Sequence, residues 1–137
     1  MENSGKPLPP FFIGKKLSNI RKEIYIRRKY PLLCKELDRE DTRSIWYSKE
    51  HIEQLLEEIR HVNGNGMWFH FAAYEQGHQF DGQLCIVMNS TRSDSDGRRS
   101  TVYIEDEPDF EDRRQATPDK GTLTDLNFGS PCPPRCD

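Results

Sequence analysis

Apolar residues concentrate in one part of this chain, residues 66–91. Two apolar runs, 67–74 and 84–88, are joined there by a polar, glycine-bearing loop. In the first run Met67, Phe69, Phe71 and Ala73 alternate with Trp68, His70, Ala72 and Tyr74. Successive strand residues point to opposite faces, so both faces are largely apolar. That pattern predicts a central strand covered on one side by helices. Residues 83–89 are expected to return antiparallel, with Cys85 as a small core residue. Phe71 is expected in the core, where truncation to alanine would cost about 3–5 kcal/mol.

Two helices are predicted before this hairpin. Ile13, Leu17, Ile20 and Ile24 fall on one helical face, basic residues fill the others, and Pro31 is expected to stop or kink the helix. Residues 34–43 read as a charged connection and residues 44–47 as a short strand. Ser48 is a candidate N-cap, and Ile52, Leu55, Leu56, Ile59 and Val62 form an amphipathic stripe behind it. Asn63, Gly64, Asn65 and Gly66 end that helix, since Gly and Asn tolerate the left-handed conformation. Residues 100–105 suit a third or edge strand. The acidic, proline-bearing stretch beyond Glu105 predicts no stable structure.

Composition sharpens the outline. The chain has 137 residues, 34% hydrophobic and 31% charged, so the apolar content is low and concentrated in the middle. The expected fold is a small α+β domain spanning residues 13–105. Its mostly antiparallel sheet would have three to four strands with two helices on one face and disordered termini. A flexible arm (1–12) and a flexible acidic tail containing Pro and Cys (106–137) would flank it. No apolar signal-type segment opens the sequence and no run suits a membrane span, so a cytoplasmic protein with no membrane partner is expected.

The net charge of −3 hides an asymmetry. Residues 1–35 carry nine Lys/Arg against Glu2 and Glu23, a net of +7, and the remainder carries −10. Lys15, Arg21, Lys22, Arg28 and Lys29 therefore form a candidate binding surface for nucleic acid. The competing expectation is that this charge is neutralised by the acidic second helix, through Glu50, Glu53, Glu57 and Glu58.

Three segments carry a family resemblance: residues 44–50 (SIWYSKE), 67–74 (MWFHFAAY) and 127–136 (NFGSPCPPRC). Together they resemble a loose group of small uncharacterised Bacteroidota-type proteins. That group has a W-[FY]-S-K-E helix start, an aromatic strand and a C-terminal Cys-Pro-Pro-x-Cys tail. The resemblance implies a bacterial source and a fold outline, and carries no catalytic residue.

Candidate chemistry is sparse. Cys132 and Cys136 have three residues between them, two of them prolines, which suits a docking tail or a redox pair more than a zinc site lacking further ligands. His70 and His78, with Glu75 and Asp81, are weak candidates for acid–base catalysis, because no nucleophile or oxyanion donors accompany them. Walker, Rossmann and HExxH patterns are absent, so no cofactor and no metal are expected. The resulting expectation is a non-enzymatic protein-interaction or regulatory module with a protein partner. The alternatives are a small enzyme using the His70 region and a nucleic-acid binder.

Overall fold

The computed structural model of this chain describes residues 5–117 and 130–133. The chain is a small α+β protein, divided into two compact units, Met1–Arg39 and Glu40–Asp137.

The first unit is helical. Helix α1 (Gly14–Ile24) widens into a π turn (Tyr25–Lys29) and continues as α2 (Tyr30–Leu37). Pro31 was expected to stop or kink the helix, and the helix runs six residues past it. The reason is the wide turn, in which Tyr30 N–H reaches Tyr25 O five residues back. Pro31 then occupies the first turn of α2, where a missing N–H costs nothing. The helix ends at Asp38, whose φ of 57° is left-handed, and Arg39 N donates to Cys34 O at 3.2 Å. Residues 34–37, expected as connection, are thus helical.

The second unit opens with β1 (Ser44–Trp46) and α3 (Lys49–His61). Ser48 caps α3 as expected, its hydroxyl accepting from His51 N at 3.0 Å. Strands β2 (Gly66–Ala73), β3 (Leu84–Ser93) and β4 (Arg99–Thr101) form an antiparallel sheet in the order β2–β3–β4. The hairpin register pairs Phe69 with Met88 and Phe71 with Ile86. Between β3 and β4, Asp94 Oδ1 accepts from Asp96 N and Arg98 N, both at 2.9 Å, and so closes the turn.

The central place expected for β2 belongs to β3. Among the described residues β3 is central and β2 is an edge strand. Phe71 is 83% exposed, which overturns its placement in the core, and Trp68, Phe69 and His70 are exposed too. The buried apolar side chains are instead Leu55, Val62, Cys85, Met88, Val102 and Cys132. Aromatic content favours a strand, but it does not decide whether a second layer covers that strand.

The segment after Glu105 also departs from expectation, since α4 (Phe110–Ala116) follows a single 3₁₀ turn at Ile104–Asp106. Polar partners distant in sequence hold it. His61 Nε2 lies 2.6 Å from Asp109 Oδ2, and Arg113 pairs with Glu58. Strand β5 (Ser130–Cys132) pairs antiparallel with β1, so this part of the expected tail is docked. The rest of that tail at 118–129 and 134–137, and residues 1–4 of the arm, lie outside the described residues.

Where α3 meets the sheet, space is tight. A Cβ on Gly64 would lie 2.8 Å from Thr91 O and 3.1 Å from Ile59 O, both backbone atoms with little room to move. Urea unfolding tests this core. Met88→Ala is expected to lose about 2–5 kcal/mol and Gly64→Ala about 1–3 kcal/mol. Phe71→Ala should stay within about 0.5 kcal/mol of the parent, and a loss comparable to that of Met88→Ala would return Phe71 to the core.

Candidate functional site

The four acid–base candidates do not converge. His70 is exposed on β2 and its ring stacks on Trp68, with centroids 5.9 Å apart. His78 lies in the loop after β2, stacked on Tyr74 at 4.3 Å, and its Nδ1 accepts from Phe80 N at 2.9 Å. Four residues of extended chain separate His70 from Tyr74, a span of roughly 13 Å. Asp81 Oδ2 accepts from Gly77 N at 3.1 Å, and Glu75 O accepts from His78 N at 3.2 Å. The His78 ring, the Asp81 carboxylate and the Glu75 backbone carbonyl thus shape the turn. Among the described residues, no cluster of His, Cys, Asp or Glu could hold a metal ion.

Cys132 is disulfide-bonded and 8% exposed, its strand docked on β1, while Cys34 and Cys85 remain thiols. Arg43 Nη2 approaches Cys132 Sγ at 3.8 Å. Cys136 lies outside the described residues. The neighbouring junction is polar and buried. Asp41 Oδ1 accepts from Thr42 N and Leu84 N, both at 2.7 Å, and Gln83 Nε2 donates to Pro133 O at 3.3 Å. These bonds fix the start of β3 against the strand pair β1–β5.

The basic candidates all lie in the first unit. Lys15, Arg21 and Lys22 are on α1 and Arg28 and Lys29 on the π turn, every one exposed. Of the acidic residues expected to neutralise them, Glu57 pairs with Arg60 at 2.9 Å and Glu58 with Arg113. Both of those bonds are made within the second unit.

The geometry gathers a different set of residues around β2. Phe69 is 55% exposed and lies on the same sheet face as Phe71, while Trp68 and His70 occupy the opposite face. Arg99 of β4 lies over the Trp68 ring, 5.0 Å from its centroid. Asn65, Gly66, Met67, Thr91 and these two residues line a shallow recess of about 330 Å³. Asn65 anchors it, accepting from Thr91 Oγ1 at 2.7 Å and donating to Ser93 Oγ at 2.6 Å. Sequence reading took Asn65 as a helix stop and began the third strand only after Arg99. The strand register that joins them across β3 is invisible to periodicity alone.

Comparison of the chain with known protein families, curated proteins and solved structures finds no match.

Two ionisable groups near the core bracket stability in pH. Burial pushes Tyr47 from 10.0 up to about 12, with Tyr74 and Cys85 adding to the shift. The folded chain then holds a proton that the unfolded chain releases above pH 10, so stability falls as pH rises through that window. On the acid side, the Arg92 hydrogen bond holds Glu107 below its ordinary value of 4.5, and burial opposes it. The Arg92–Glu107 contribution is complete above that value and is lost as pH falls below it. Urea midpoints measured against pH should decline on both sides. Tyr47→Phe should flatten the alkaline limb and Glu107→Gln the acid limb; unchanged limbs would remove these groups from the linkage.

Proposed function

We propose that the chain is a non-enzymatic protein-interaction module whose docking surface is the aromatic face and outer edge of β2. The observation that carries this reading is Phe71, 83% exposed on the eight-residue β2, an edge strand among the described residues. Phe69 stands two residues away on the same face, with Ile86 beside Phe71 across the strand pair. A patch of apolar surface kept in water is costly and commonly marks a contact site.

The edge adds a second recognition element. An edge strand presents a row of backbone N–H and C=O groups that an extended segment can pair with. Alternate side chains of such an added strand would lie against Phe69 and Phe71, while the backbone supplies direction and register. The engagement of His78 and Asp81 in turn-building supports binding over acid–base catalysis.

A display selection of random twelve-residue peptides on the intact chain tests the reading. Enriched peptides should alternate apolar and polar positions and bind at micromolar Kd. Phe69→Ser with Phe71→Ser should weaken them at least tenfold while leaving the melting temperature nearly unchanged. Peptides that bind the double variant as tightly as the parent would rule out β2 as the docking surface.

A further inference from the structure

The first unit carries an apolar surface of its own, and it is framed by positive charge. Ile13, Leu17, Ile20 and Ile24 are 44%, 37%, 45% and 47% exposed, and no residue of α1 is buried. Just ahead of them Phe11 is 82% and Phe12 is 59% exposed. The Phe pair is held at the helix start by a turn, in which Phe12 N donates to Pro9 O at 3.0 Å. Lys15, Lys16, Arg21, Lys22, Arg27, Arg28 and Lys29 surround the stripe, with Glu23 as the one acidic residue between 14 and 29. Glu23 is itself paired with Arg27 at 2.7 Å. At 3.6 residues per turn, Lys16 and Arg21 border the stripe on its two sides.

We propose that this unit is an interfacial anchor, whose α1 lies along the surface of an anionic lipid bilayer. Charge selects the occupant. A second copy of the same helix would bring two strongly cationic borders side by side, and like charges repel. An anionic bilayer satisfies both parts of the surface at once. The stripe, Phe11 and Phe12 enter the boundary between headgroups and acyl chains, while the Lys and Arg stems lie along it and their charges reach the phosphates. The binding is peripheral: among the described residues no helix is long and apolar enough to cross a membrane.

Sedimentation of the full chain with lipid vesicles tests this. Vesicles of phosphatidylcholine containing one-third phosphatidylglycerol should carry the protein down, and pure phosphatidylcholine should leave it in solution. Leu17→Ser with Ile20→Ser, both surface positions, should weaken binding at least tenfold, as should Lys16→Ser with Arg21→Ser. Thermal melts of each pair confirm that the fold is intact. Phe69→Ser with Phe71→Ser should bind vesicles like the parent, which separates this inference from the reading of β2. Equal binding to both lipids, or to neither, overturns the proposal. So does full retention by Leu17→Ser with Ile20→Ser, together with equal competition by polyglutamate or a short DNA duplex, since the helix would then read charge alone. A concentration-dependent dimer lost in Leu17→Ser with Ile20→Ser, without vesicle binding by the parent, would assign the stripe to a second copy.

Discussion

One guanidinium ties together three segments of the second unit. Arg92 leaves the sheet at the end of β3 and donates to Val62 O at 3.1 Å, satisfying a carbonyl at the close of α3. The same group grips Glu107 through both carboxylate oxygens, at 2.8 and 3.1 Å. Three segments far apart in sequence therefore meet on one side chain. Such fork-to-fork pairing fixes orientation as well as distance. It matters here because the buried apolar set among the described residues is small, six side chains. His61 with Asp109 and Arg113 with Glu58 extend the same clamp along α3.

Beside that clamp, the buried part of β3 is largely polar. Asn89, Ser90 and Thr91 are all under 8% exposed, and Thr91 is satisfied through Asn65. Buried polar groups with partners define one arrangement more sharply than apolar ones, because each misplacement strands a donor or acceptor. The consequence is a unit whose interior is specified by hydrogen bonds while its most hydrophobic strand faces outward.

That inversion explains what the sequence could and could not reveal. Helix α3 was legible from Ser48 at its cap and the Asn63–Gly64 stop, because capping and left-handed geometry are local properties. The β2–β3 hairpin was legible because two apolar runs joined by a polar, glycine-bearing loop are a local signal as well. Which strand would be covered was not legible. Trp68, Phe69 and Phe71 have the composition of a core, and a partner-facing strand uses the same residue types. Helix α4 was missed because Glu58 and His61 hold it and its N-terminal Asp109 from 55 and 48 positions away in sequence. The acid–base candidates were read from residue type alone. Loop residues such as His78 and Asp81 resemble catalytic groups in type, and only geometry shows them closing a turn.

The wide turn at Tyr25–Lys29 does more than admit a proline. A single α-helix would bring Pro31 beneath Ile24, seven residues on, and the apolar line begun at Ile13 would end in a ring unable to donate. One extra residue within the turn delays the helical phase by one position. Leu32, 67% exposed, inherits the place that Pro31 would have held. The apolar line thus resumes after a cationic gap, lengthening from roughly 17 Å to about 27 Å at 1.5 Å per residue. The π turn acts as a phase corrector, by which two short helices present one long face.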